Sequence, residues 1–596
     1  MTENKWDLSH LYESVDAVEK AKLEFLPKAD SLKAYVGRLG ESAQTLREAL
    51  DLRWNLELLL RRMETYTARY SDEDTRDSKA NALNSEIELI RTQFTELCSF
   101  FEPEIVAIAE KDIVRYIEED KGLNIYQRPI REIFRMKKHV LSLPEEKILA
   151  SAMDIAETGH STFRIFSNAD LPRETVTLSD GQEVKLTDAN YAKHRRSSVK
   201  SDRDIVSETF IRQYGTFKRS IGEMLYGQMK THLFYAKMRG YSDTLTAALD
   251  NDDIDTAIYH TLVETVQKNL PTFHRYLKLK ARALGVKSIE YQDLYVPFTQ
   301  DKKIEVPFEQ TPSMLKKALA PLGDEYPGLL DTAFTEGWID VFPGEGKRSG
   351  AYSSGWAYDV HPYVLMNYNN EYSDALTLAH ELGHAMHSHY SNANQPIATS
   401  DYSIFVAEVA STFNENLLND YMLKNVESDE QRFYLLGNFL DASFKGTFTR
   451  QAQFAEFELL AHQCVENGEA LTGDSLSKMY IALLRKYYGH DEGACRVPDY
   501  FDTEWAYVPH FYYNYYVFQY ATSIAAASSL ATKVVNKEAG ALERYFSLLK
   551  AGDSSDPVST LKNAGVDMTQ PVAYEAFIHR ANRYMDEMEN ILEKQG

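Results

Sequence analysis

The stretch SDALTLAHELGHAMHSHY, Ser373 to Tyr390, decides the fold. Within it His380-Glu381-Leu382-Gly383-His384 matches H-E-x-x-H, the pattern in which two histidines one helical turn apart hold a zinc ion and the glutamate acts as base. The motif demands a helix, and the surrounding residues supply one. Ser373 or Asp374 is expected to cap its start, Asp374 suits the positive end of the helix dipole, and Ala375, Leu376, Leu378, Ala379, Leu382, Ala385 and Met386 mostly favour helix. At i and i+4, both imidazoles leave one face. Glu381 points about 100° around from His380, near enough to reach an activated water without ligating the ion. The apolar residues on either side predict a buried helix, and two histidines and a glutamate on a buried helix need a partner.

A catalytic zinc takes three protein ligands and leaves one position open. The pattern with a glycine and a third histidine after H-E-x-x-H fails, because His387 and Tyr390 stand at those positions. A glutamate on a following helix is the other common solution. Glu408 lies among Phe405, Val406, Ala407 and Val409 in IFVAEVASTFNENLLNDYMLKN, where an acid is costly unless paired or metal-bound. Glu415 falls two turns on along the same face, with Ser411 between, and suits a carboxylate that orients an imidazole N–H. His387 is the rival third ligand, but three ligands from one continuous helix strain a tetrahedron. Glu408 is therefore preferred, with His387 left to orient a ligand or fill the core.

Outward from this segment, 596 residues give ample volume for an enclosed site. Hydrophobic residues at 44% and charged residues at 26%, with no low-complexity tract, describe a globular chain. A net charge of −24 argues against a nucleic-acid groove or an anionic membrane as the main partner, and basic pieces such as His194-Arg195-Arg196 are short. Three scattered cysteines, Cys98, Cys464 and Cys495, exclude a disulfide framework. The start, MTENKWDLSHLYESV, lacks a basic region followed by an apolar one, and no apolar run approaches the ~18 residues of a membrane span. A reducing, cytoplasmic setting is expected.

From about residue 7 to 160 the period is helical, and the longest runs predict antiparallel helices joined by short turns. This section reads as a structural bundle. ETVTLSDGQEVKLT then predicts a hairpin turning at Asp180-Gly181. Helix resumes near Arg203 and runs to about Leu284, where Gly285 can end it. IEYQDLYVPF and KKIEVPF read as strands, and a single helix is expected over roughly Pro312 to Ala333. The stretch from Gly337 to Tyr368 is rich in Gly, Ser and Tyr, and its loop 344–355 is expected to act as a lid. It is not a phosphate-binding loop, since Arg348 follows Gly346-Lys347 where Ser or Thr is required. YVLMNY, Tyr363 to Tyr368, has strand composition: an ordinary sheet strand, or an edge for an extended peptide.

Given zinc, the chemistry follows. The ion polarises a carbonyl and lowers the pKa of water to roughly 7. Glu381 takes the water proton and delivers it to the leaving amine. The developing oxyanion needs a further donor. The stretch HFYYNYYVFQY, His510 to Tyr520, offers a histidine and five tyrosines. Taken alone, such a stretch is ordinarily aromatic core, and spacing does not choose among its tyrosines.

HELGHAMH, the glutamate of FVAEVASTFNE, GAYSSG with PYVLMNY, and PHFYYNYYVFQYATS together resemble the thimet oligopeptidase family of zinc metallopeptidases. Within it they resemble the oligoendopeptidase F subgroup, as does the opening WDLSHLY, so the resemblance spans the chain. It implies one zinc ion on His380, His384 and Glu408, with Glu381 as general base. It implies that His510 and a tyrosine among Tyr513, Tyr516 and Tyr520 hold the oxyanion and substrate. It also implies a mainly α fold: a large helical body with a deep substrate channel, small β-elements near the zinc helix and a gluzincin-type site. Segments 1–110 (helical), 111–195 (helices and a hairpin, of the subgroup's N-terminal type) and 196–596 (catalytic) are expected as domains. The substrates implied are short unstructured oligopeptides cut at internal bonds. A metallo-carboxypeptidase or dipeptidase with the same core is the alternative, and a helical scaffold carrying a dead motif is the reading from outside enzymology.

Overall fold

The computed structural model describes residues 4–299 and 304–595, nearly all of them in or between helices. Two compact units interleave along the chain. One takes Met1–Lys138, Lys303–Met422 and Leu530–Gly565, and the other His139–Lys302, Leu423–Ser529 and Val566–Gly596.

The first unit is built around the long helices Ala43–Glu73 and Ser78–Cys98, each started by a side-chain cap, from Ser42 to the Thr45 N–H and from Asp77 to the Lys79 and Ala80 N–H groups. Their apolar faces (Leu46, Leu60, Met63, Leu83, Ile87, Phe94) form one core, which also takes in Tyr363 and Leu365. Those two belong to the central strand of a small sheet. Tyr363–Leu365 pairs parallel with Ile339–Asp340 and antiparallel with Tyr352–Ser354. All three of its residues are buried, so an apolar run without alternation is what the position calls for. The helix Tyr372–Asn394, which carries the motif, follows directly and packs on this sheet.

Arg61 ties the long helix to the rest of the unit. Its guanidinium is buried against Glu57 at 2.9 Å and Asp401 at 2.6 Å, and it covers the Trp356 ring at 4.0 Å. Asp401 stands just ahead of the helix Ile404–Asn425, so the start of that helix is fixed by a charge from the bundle.

The second unit is built on Lys200–Thr216, Lys218–Met238, Ala257–Lys268, Leu270–Ala283, Arg450–Glu466, Gly473–Tyr488 and Val572–Gln595. The hairpin is present as Thr175–Thr177 paired with Glu183–Lys185. Inside the unit Glu504 accepts from Arg450 at 2.8 Å, Tyr291 at 2.9 Å and Tyr480 at 2.7 Å, a buried charge with enough donors to be tolerated.

Several expectations need correction. The motif helix is capped by Glu371, with Asp374 reaching back to the Glu371 N–H, so Asp374 is the third helical residue and not the cap. Pro312 to Ala333 is two helices, Thr311–Ala318 and Glu325–Thr335, because Pro321 sits in a 3₁₀ turn and Gly323 takes φ +81°. IEYQDLYVPF gives only the two-residue strand Ile289–Glu290 before a 3₁₀ turn. In KKIEVPF, Glu305 makes an isolated bridge to Glu371, while Lys302 and Lys303 lie outside the described residues. The loop 344–355 is tied at three points: Gly346 O accepts from Thr75 N at 2.8 Å, Arg348 N donates to Asp72 O at 3.0 Å, and Asn367 donates to Gly350 O at 2.8 Å.

Candidate active site

The motif helix crosses Ile404–Asn425 with no space between backbones. A Cβ placed on Gly383 would stand 2.5 Å from Ser411 Cα and 2.6 Å from Ala410 O. Only glycine permits that approach. Asn414 locks the crossing by donating to Ala379 O at 3.1 Å. On the other side Gly355 meets the same helix, where an added Cβ would fall 2.1 Å from that of Ser388. Two glycines thus seat the histidine helix between a strand and a second helix.

The crossing brings Glu408 to the histidines. Its Oε2 lies 3.3 Å from His380 Nε2 and 3.6 Å from His384 Nε2. Among the described residues this is the one group of three such side chains whose donor atoms lie within 4.8 Å of one another. Ser411 Oγ donates to Glu408 Oε2 at 3.2 Å, and Thr412 donates to the Glu408 carbonyl. Glu415 approaches His380 from behind, its Oε1 2.5 Å from Nδ1. With Nδ1–H given to Glu415, it is Nε2 of His380 that turns toward Glu408 and His384.

The electrostatics match a cation site. Burial works against a charge on His380, yet its bonds to Glu408 and Glu415 push it up to about 10. Burial alone would raise Glu408, but the two imidazoles hold it well below the usual carboxylate range. A proton therefore stands among three groups that would otherwise converge two lone pairs and a carboxylate on one point. Two imidazole nitrogens and one carboxylate oxygen are a donor set that zinc takes. Glu381, 8% exposed, is raised by burial, which fits a group that must carry a proton.

His387 goes elsewhere. Its ring stacks on Tyr402 at 3.7 Å and 8°, it is 1% exposed, and burial lowers it to about 3. Tyr402 in turn shares a 2.8 Å hydrogen bond with Ser388. Pointing into this packing, His387 is not in the group of convergent donors. His389 faces Trp338 at 5.9 Å.

In the second unit, His510 gathers all three of the tyrosines that the resemblance put forward. Ring centroids of Tyr513, Tyr516 and Tyr520 stand 5.5, 6.3 and 6.1 Å from its own. Tyr512 and Tyr515 are buried instead, so the stretch is both aromatic core and exposed cluster. Burial lowers His510. Tyr402 and Gly383 went unremarked as site-builders in the sequence; the glycine inside a buried helical motif was the available signal.

A helical body holding H-E-x-x-H with a glutamate from the next helix defines a metallopeptidase. Residues 195–579 match the model of peptidase family M3, and residues 104–172 match that of the oligopeptidase F N-terminal region. The chain is 39% identical to oligopeptidase PepF of Bacillus subtilis over 99% of its own length and 88% of that protein's. It is 35% identical to an oligoendopeptidase F homolog of Lactococcus lactis subsp. lactis, over 99% and 97%. The crystal structure of oligoendopeptidase-F from Enterococcus faecium superposes with a TM-score of 0.75 at 33% identity, covering 97% of this chain and 99% of that one. This chain belongs to peptidase family M3. It is a metalloendopeptidase of the oligoendopeptidase F type, and it hydrolyses peptide bonds. Among the described residues no helix is long and apolar enough to cross a membrane.

Proposed function

We propose that the protein is a zinc-dependent endopeptidase that cuts internal bonds of short unstructured oligopeptides, with Glu381 as general base. The observation that carries this reading is the convergence of His380 Nε2, His384 Nε2 and Glu408 Oε2 within 4.8 Å, beside a buried Glu381. His380, His384 and Glu408 would hold the ion. A zinc ion there supplies Lewis acidity, polarising the scissile carbonyl and making water nucleophilic near neutral pH.

The remaining chemistry falls to side chains. Glu415 keeps His380 in the tautomer whose Nε2 is a lone-pair donor. Glu381 Oε accepts the proton of the attacking water and passes it to the departing amine nitrogen; its burial brings its proton affinity closer to that task. His510 with Tyr513, Tyr516 or Tyr520 donates to the oxyanion as the carbonyl carbon becomes tetrahedral. Support for this last assignment is the resemblance of PHFYYNYYVFQYATS to the family and the gathering of three tyrosine rings around one imidazole. A cytoplasmic setting belongs to the same reading and is supported by Cys98, Cys464 and Cys495 all being free.

Mass spectrometry of a mixed peptide pool incubated with the protein, with and without chelator, tests the proposal. Internal cuts in short peptides that vanish with chelator are expected. Stepwise loss of terminal residues alone would replace it with a carboxypeptidase or dipeptidase reading. Cleavage indifferent to chelator would overturn the metal assignment.

A further inference from the structure

Behind the His510 cluster the chain does something costly. Asn514 and Tyr515 are consecutive residues at φ +52° and +61°. A left-handed tyrosine is an outlier, and such strain persists only where the surroundings dictate it. The pair turns the chain so that Tyr513, 43% exposed, and Tyr516 stand 6.2 Å apart beside His510, while Tyr515 goes inward and is 2% exposed. Tyr515 is held at every point. Its ring stacks on His462 at 4.5 Å, its hydroxyl meets Thr244 at 2.8 Å, and its N–H donates to Glu458 Oε1 at 2.6 Å. Thr244 in turn donates to Glu466.

We propose that Glu458, on the helix Arg450–Glu466, is a positioning residue: its carboxyl, through the Tyr515 N–H, imposes the left-handed pair and so sets the spacing of His510, Tyr513 and Tyr516. The inference rests on the reading that those three groups act on the substrate. Glu458 is 0% exposed, and among the described residues its Oε2 has no hydrogen-bond partner and no opposite charge pairs with it. The histidines at hand are neutral. His462 Nδ1–H donates to Glu458 O at 2.9 Å, its Nε2 accepts from His232 Nδ1 at 3.0 Å, and Gln228 donates to His232 Nε2 at 3.2 Å. Burial pushes the carboxyl up to about 8, so near pH 7 it is a neutral acid whose carbonyl oxygen takes the Tyr515 proton. A glutamate on a buried helix whose side chain makes one hydrogen bond, to the amide of a left-handed tyrosine, has no packing reason to be there: leucine would fill the space without desolvation.

The test compares Glu458→Leu, Glu458→Gln and His510→Ala in the zinc-loaded protein. Glu458→Leu is expected to lower kcat about tenfold or more while KM changes less than about threefold and zinc content holds, the signature of an interaction used in the transition state. Glu458→Gln keeps the carbonyl acceptor and is expected to stay within about threefold of the parent. Adding Asn514→Gly to Glu458→Leu should restore part of the lost kcat, because glycine adopts the left-handed turn unaided; a core cavity would not be repaired by a loop glycine. Should the leucine variant not fold, Glu458→Asp, one methylene short of the amide, replaces it with the same expected loss. Parental kinetics in the leucine or aspartate variant, with His510→Ala inactive, overturns the positioning role alone. Parental turnover in His510→Ala overturns the reading beneath it.

Discussion

His380 Nδ1 and Glu415 Oε1 are 2.5 Å apart, and that contact leaves Nε2 as the nitrogen that the proposed metal would take. The glutamate sits two turns beyond Glu408 on one helix, so a single element both supplies a donor and orients another. Glu415→Ala is expected to weaken zinc binding by about 10- to 100-fold. Competition against a chelator of known affinity measures it.

Glu381 is expected to separate chemistry from metal binding. Glu381→Gln keeps the volume and removes the base, so zinc stoichiometry should stay at the parental level while kcat falls by about 10²- to 10⁴-fold. Peptide turnover and metal analysis on one preparation check both halves.

Removing and restoring the metal should move protons. In the metal-free protein His380 is held protonated up to about 10 by its bonds to Glu408 and Glu415, against the pull of burial. Zinc needs the neutral imidazole, so loading at pH 8 is expected to release about one proton per site from His380, over and above that from a water whose pKa falls to roughly 7. Indicator dye in weakly buffered solution reports the release, which shrinks once the pH passes 10.

Gly383→Ala drives a methyl into Ser411 and Ala410 across the helix crossing. The helices must part, and overpacking of this kind costs about 1–3 kcal/mol. Lower thermal stability together with lost zinc is expected, because the carboxylate leaves with its helix. Calorimetry with metal analysis tests it.

Glu458→Gln should change stability with a definite sign. The folded carboxyl is pushed up to about 8 by burial, above its ordinary 4.5. Between those values the unfolded chain is ionised and the folded one is not, so stability present below pH 4.5 is lost as pH rises toward 8. His462 and His232, lowered by burial, add a stability rise with pH that both proteins share, so it cancels in the difference between them. The glutamine variant carries no such loss, and its Tm advantage should grow from pH 5 to pH 8 by about 2 °C.

What the sequence disclosed followed from periodicity and chemistry acting together. Helix 404–425 was legible in full because its apolar residues repeat at helical spacing, and Glu408 stood out as a charge among them. The site geometry was less legible where the backbone leaves regular structure. Around His510 the chain runs through 3₁₀ turns and two left-handed residues, so counting residues could not choose among Tyr513, Tyr516 and Tyr520, all of which face the imidazole. Glu458 was invisible for the opposite reason. Its helix is buried on most sides and gives no polar face against which one glutamate looks misplaced. The break at Gly323 was readable from Ala-Pro-Leu-Gly but was outweighed by the apolar run on both sides.

Tyr363 and Leu365 share their core with Leu60, Ile87 and Phe94, far earlier in the chain. The strand that bears on the metal helix is thus completed by side chains that precede the stretch matched to peptidase family M3. A truncated gene beginning at residue 195 would encode every proposed ligand and still leave that strand's inner face bare. Such a fragment is expected to aggregate when expressed alone. Inheritance and engineering alike must then treat the enzyme as indivisible, with swaps between relatives succeeding only when bundle and strand travel together.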